Sequence, residues 1–118
     1  LHFPFGLDID DDGSLYIADD DNHRIVRWKP NATEGEIIVG GKGPGNRSDQ
    51  LNQPLVVLID RLNDCLIISE PGNRRVMRWP LQKGGQTSVG QGEVILSDIQ
   101  SLGLAMDDEG SLYASDWD

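Results

Sequence analysis

Four carboxylates near the start of this 118-residue chain are spaced as metal ligands can be: Asp8, Asp10, Asp12 and, at the twelfth place, Asp19. With Gly13 at the sixth place and Leu15 at the eighth, the letters mimic an EF-hand loop, whose oxygen ligands wrap a calcium ion. That loop works only between two helices. Here Pro4 and Gly6 precede it, and Leu15 to Ile17 are β-forming. A hairpin turn rich in Asp explains the same letters, because Asp accepts hydrogen bonds from nearby backbone amides. The cognate stretch at Gly103 to Asp116 has Ala105 in place of the first acid, and Val57 stands in the corresponding first strand of the middle unit. We therefore read a structural turn and assign no metal ligand to Asp8, Asp10 or Asp12.

Asp19, Asn22 and Arg24 form a second polar set, a carboxylate, an amide and a guanidinium within one turn and the strand after it. A catalytic reading is possible in principle. The set recurs, however, as Glu70, Asn73 and Arg75. A catalytic constellation is needed once per site, whereas a turn lock returns with every structural unit. Asp and Asn would satisfy loop amides, and Arg would bridge to an acidic neighbour.

The remaining chemistry-bearing residues lack partners in the sequence. His2 and His23 have no second His or Cys at zinc-ligand spacing. Ser14 and Ser111 sit in hairpin turns without a nucleophile elbow or an evident base. Gly40, Gly41, Gly43 and Gly45 flank Lys42, yet no helix and no G-K-[ST] follow, so a flexible link is expected rather than a phosphate cradle. Cys65, in an apolar run, reads as a buried thiol, and one cysteine cannot form a disulfide within the chain. No catalytic, cofactor-binding or metal residue is assigned, and no cofactor.

The elements that carry these residues repeat. Asp19 to Trp28 returns fifty-one residues later as Glu70 to Trp79, and Gly6 to Asp19 returns ninety-seven residues later as Gly103 to Asp116, with nine of fourteen positions identical. A period near 50 residues means stacked units, each too small to bury its own apolar face. In the first unit, Gly6 to Asp10 alternates with period two, Asp11 to Ser14 turns, and Leu15 to Ala18 returns. Asp20 to Asn22 turns again. The third strand, Arg24 to Trp28, places Arg24, Val26 and Trp28 on one face with Ile25 and Arg27 on the other, and Glu36 to Val39 is the fourth strand.

Lys42 to Gln53 links to a second unit, whose opening run Leu55 to Ile59 is apolar on both sides and must be covered on both faces. Its hairpin turn is Arg61 to Asp64, its second strand Cys65 to Ser69 and its third Arg75 to Trp79. The fourth, Glu93 to Leu96, follows a long loop from Pro80 to Gly92. A third unit supplies only a hairpin. Trp28 and Trp79 read as packing residues, and Trp117 falls in a turn. Helix content should be close to nil.

Charge and composition narrow the partners. The net charge of −10 opposes a phosphate-binding surface, so nucleic acid is an improbable partner. No apolar run nears the roughly 20 residues of a membrane span, and no basic-then-apolar leader is read. Sequons at Asn31-Ala32-Thr33 and Asn46-Arg47-Ser48 lean toward a secreted origin without fixing the compartment.

Taken together, Pro4, Gly6, Leu7, Ile9, Asp10, Gly13, Leu15, Tyr16, Ile17, Ala18, Asp19, Asn22, Arg24, Ile25 and Trp28 resemble the repeat of the NHL family. The second unit keeps Pro54, Asp60, Asn73, Arg75, Val76 and Trp79, but has Val56 for the Gly and Glu70 for the second Asp. The third keeps Gly103, Asp107, Gly110, Leu112, Tyr113 and Asp116, with Ser101 at the Pro position. The resemblance covers essentially the whole chain: repeats at about 4–53 and 54–100, and a truncated one at about 101–118.

It implies an all-β fold, an incomplete β-propeller of four-stranded antiparallel blades: two blades and the first hairpin of a third, from a six-bladed parent. Other blades, or other copies, would be needed to close the ring. It also implies a non-catalytic binding or scaffold module that presents loops to protein or small-ligand partners. In RING-type ubiquitin ligases such propellers recognise substrate or RNA, and the acidic balance here opposes RNA. The alternative is a fragment of a metal-dependent propeller enzyme, amidating-lyase-like or lactonase-like, whose site residues lie mostly outside these repeats.

Overall fold

The computed structural model of the chain describes residues 4–47, 50–82, 86–87 and 92–116. His2, Ser48 and Trp117 lie outside them. Four antiparallel strands make the first sheet in the order β1 (Pro4–Ile9), β2 (Leu15–Asp19), β3 (Arg24–Trp28) and β4 (Glu36–Gly40). The second contains β5 (Val56–Asp60), β6 (Cys65–Glu70), β7 (Arg75–Gln82) and β9 (Glu93–Ser97), with the short β8 (Gln86–Thr87) paired to the far end of β7. The hairpin of β10 (Leu104–Met106) and β11 (Leu112–Ala114) begins a third. These are the expected propeller blades.

The sheets stack face to face because each has two apolar faces. Period-two alternation sends Tyr16, Ala18 and Ile25 of the first blade toward the second. There they share a core with Val57, Ile59, Leu66, Ile68, Met77 and Trp79. The alternate residues of the second blade, Cys65, Ile67 and Val76, pack with Leu58 and Ile95 against Leu104, Met106 and Leu112 of the third. β6 is buried at every position, as a strand covered on both faces must be.

Where the innermost strands meet, the Gly6 amide donates to the Leu55 carbonyl at 2.9 Å. A Cβ on Gly6 would lie 2.7 Å from that oxygen, so only glycine admits the contact. Both third-to-fourth strand pairings carry a bulge at the same place, between Ile25 and Val26 and between Val76 and Met77.

Two local expectations need correction. β7 does not end at Trp79 but runs through Pro80 to Gln82, with Cys65 opposite Pro80, so part of the expected loop is strand. The proline costs no ladder bond there, because the adjacent Leu81 amide donates to the Asp64 carbonyl at 2.8 Å. The turns after β2 and β6 are single turns of 3-10 helix, Asp20–Asn22 and Pro71–Asn73, each ended by a residue at positive φ, His23 and Arg74.

Candidate functional site

The EF-hand mimicry dissolves in three dimensions. Asp8 sits on β1 and accepts from the Ile59 amide of the next blade at 2.9 Å, and from the Ile9 amide at 2.8 Å. Asp10 accepts from the amides of Asp12 and Ser14, and Asp12 from that of Ser14. These are turn hydrogen bonds. Asp107 does the same with the amides of Glu109 and Ser111, and Asp60 with those of Leu62 and Asn63. Partial burial and the nearby Asp12 hold the Asp10 carboxyl above its ordinary value, while hydrogen bonds to Asp10 and Ser14 pull Asp12 down to about 2. Among the described residues no group of three or more His, Cys, Asp or Glu is placed to hold a metal ion.

The three hairpin turns stand side by side on one rim. Arg61 Nε donates to Asp11 at 3.2 Å, and its terminal nitrogen to the Ile9 carbonyl. Leu62 lies against Gly110 of the third turn, 3.0 Å from where a Cβ would sit. Asp11, Asp12, Asp64, Asp108 and Glu109 are exposed there, and Leu62 is 63% exposed among them.

The carboxylate–amide–guanidinium sets are clamps. Asp19 accepts from Asn22 Nδ2 at 2.9 Å and Arg24 Nε at 2.7 Å, and its side chain is wholly buried. Glu70 accepts from Asn73 Nδ2 at 2.9 Å, Arg75 Nε at 2.8 Å and the Asn52 amide at 2.9 Å. Glu70 thus fills the Asp position with reach to spare. Arg75 also donates to the carbonyls of Asn46, Arg47 and Gln50, and Asn73 to that of Gly45. This ties the inter-repeat link to the second blade. His23, whose Nδ1 accepts from the Gln53 amide at 3.0 Å, fixes the end of the same link to the first blade.

A recurrent pair escaped the sequence reading. Arg27 Nε donates to Glu36 at 2.8 Å across β3 and β4, and Arg78 to Glu93 at 2.7 Å in the second blade. Burial pulls the Arg27 guanidinium down, but hydrogen bonds to Glu36 and Tyr16 outweigh it and hold it above its ordinary value. The signal was legible: Gly35-Glu36 and Gly92-Glu93 open both fourth strands. A Cβ on Gly35 would strike Val26 and Trp28, and one on Gly92 would strike Trp79 and Met77, so glycine there makes room for the tryptophan. Cys65 is buried beside Asp60, its Sγ 3.6 Å from Oδ2. Burial and that carboxylate push the thiol up to about 11, the opposite of an activated nucleophile.

This geometry has known counterparts. Residues 1–28 match the family model of the NHL repeat. Over 95% of its length the chain is 23% identical to peptidyl-glycine alpha-amidating monooxygenase of Mus musculus, of which it spans 13%. Over 74% it is 23% identical to the Rattus norvegicus protein of that name, of which it spans 10%.

Two solved structures each align with 96% of the chain, which covers 34% of each. One is a streptogramin B lyase, with TM-score 0.67 and 16% identity; the other is virginiamycin B lyase from Staphylococcus aureus, with 0.60 and 13%. At that identity the likeness establishes the fold, a partial β-propeller. Within it the NHL motif has a physical meaning: its Asp, Asn and Arg clamp the turn after the second strand. No helix among the described residues is long and apolar enough to cross a membrane.

Proposed function

We propose that this NHL-repeat segment is a binding and scaffold module, part of a propeller that presents aligned hairpin turns to a protein or small-ligand partner. One observation carries this reading: the polar sets that could do chemistry are engaged in holding turns, blades and the inter-repeat link. What faces solvent is a rim of like turns bearing Asp11, Asp12, Asp64, Asp108 and Glu109 around Leu62. Such a rim suits a partner with cationic groups around an apolar anchor. Crosslinking of the protein in its native source, read by mass spectrometry, should recover partners attached near this rim. Crosslinks distributed without regard to the rim would count against the reading.

A second reading has its own support, since the similar proteins above bear the names of enzymes. In it the chain is a segment of an amidating or lyase propeller, with metal ligands drawn from other blades. Turnover of a glycine-extended peptide by the protein carrying this segment, lost on chelation and restored by added metal, would replace the first reading with this one.

A further inference from the structure

Of the two sequons, only the second is drawn into the bonding of the fold. There the Asn46 and Arg47 carbonyls accept from Arg75 at 2.8 and 3.3 Å, which holds that stretch of the link against the second blade. The first, Asn31-Ala32-Thr33, lies wholly among the described residues, in the connection between β3 and β4. Strand pairing stops at Trp28 opposite Leu15 and at Arg27 opposite Glu36, so the tripeptide stands past the end of the sheet and belongs to neither of its faces. Pro30 rests on the hairpin turn of the same blade, its Cγ 3.3 Å from where a Cβ on Gly13 would sit.

Within this loop Ala32 is pinned and its neighbours are left outward. The Ala32 amide donates to the Lys29 carbonyl at 3.1 Å, and its carbonyl accepts from the Trp28 indole at 3.0 Å. Asn31 and Thr33 are exposed on either side of it, and among the described residues neither side chain makes a hydrogen bond. Asn31 has a φ of 63°, a left-handed conformation that asparagine tolerates better than most residues. That backbone alone would explain an asparagine with no further role. It does not explain Thr33, whose surface hydroxyl holds no turn and whose methyl enters no core. Nor is the tripeptide a device of the repeat, because the corresponding connection of the second blade, residues 80–92, contains no asparagine.

We propose that Asn31 is the acceptor of an N-linked glycan. An acceptor needs its amide nitrogen in solvent, a free hydroxyl two residues on and a residue other than proline between them, and all three meet here. Transfer forms a bond from Asn31 Nδ2 to C1 of the first sugar and breaks the bond from C1 to the diphosphate of a polyprenyl-linked oligosaccharide. Nδ2 gives up one proton, and the lipid diphosphate leaves. The bulky, hydrated product projects from the rim into water, where it displaces no packed side chain. The assignment places the protein in the secretory route and holds under either reading of function.

The test maps glycans on the full-length protein carrying this segment, expressed in eukaryotic cells. Peptide N-glycosidase acting in H₂¹⁸O labels each position that carried a glycan, and mass spectrometry of the peptides locates the label. The expected result is a label at position 31 that is lost in Thr33→Ala. That variant removes only an exposed, unbonded hydroxyl and methyl, so the turn and the fold stay in place. The label is retained in Thr33→Ser and in the second-sequon control Asn46→Gln. No label at position 31, or one that survives Thr33→Ala, would overturn the proposal. An equal label without the glycosidase would mark spontaneous deamidation and overturn it as well.

Discussion

The Arg27–Glu36 pair and the Arg78–Glu93 pair are the same device in two settings. Both join the third strand of a blade to the start of the fourth. Arg27 lies beneath the second blade with a side chain 2% exposed, whereas Arg78, on the face toward the two-stranded third unit, is 42% exposed. The clamps differ in the opposite sense, since Arg75 is closed over by the inter-repeat link and Arg24 is not. Identical letters therefore differ in energetic consequence according to what packs on them. A neighbour that excludes water turns a surface ion pair, worth little, into one whose loss strands a buried charge.

The largest expected effect tests the closed clamp. Glu70→Ala removes the acceptor of Arg75, Asn73 and the Asn52 amide, and should cost about 3–5 kcal/mol in urea unfolding. Asp19→Ala should cost clearly less, because Arg24 can turn to water. Equal losses would break the comparison.

The tryptophans sharpen it next. Trp79 is 3% exposed under the first blade, and Trp79→Ala should cost roughly 3–5 kcal/mol. Trp28, half-buried on the open face with its indole N–H on the Ala32 carbonyl at 3.0 Å, should cost much less when truncated.

For the arginine pairs, Arg27→Ala should lose about 1.5–3 kcal/mol, the scale of a charge-assisted hydrogen bond. Arg78→Ala should leave the unfolding midpoint where it is.

The smallest effects concern titration and reactivity. Asp12 titrates in the folded chain at about 2 against an ordinary 3.8, so its contribution is present above 3.8 and is lost as pH falls through 2. Asp10 is raised, so its contribution is present below 3.8 and is lost as pH rises through its folded value. Carboxyl ¹³C NMR should resolve the two on opposite sides of 3.8, and Asp12→Asn should bring Asp10 part of the way down. Cys65, buried and raised to about 11, should react with a thiol reagent only as the chain opens, and fast labelling at neutral pH would contradict its burial.

Strand order, hairpin turns and the faces of β3 were legible in the chain because a two-residue period and an Asp-Gly turn are local physics. Three repeats of one pattern confirm one another. The structural role of Asp10 was legible for the same reason, since its carboxylate accepts from the amides of residues 12 and 14 in its own turn. The Arg27–Glu36 pair was not read, although Gly-Glu recurs, because the two residues are joined by register across strands rather than by spacing. The continuation of β7 past Pro80 was missed because proline at a strand end depends on which side of the ladder its nitrogen faces.

The amino-acid order by itself determined that this protein holds two four-stranded units, each with a clamp, and the hairpin of a third, for each hairpin, turn and clamp is set by residues within a few positions of each other. Which clamp is closed, which arginine is buried, and where Asp8 sends its carboxylate were decided only when the blades packed. Each of these depends on neighbours 25 or more residues away, and no local pattern encodes which of them come together.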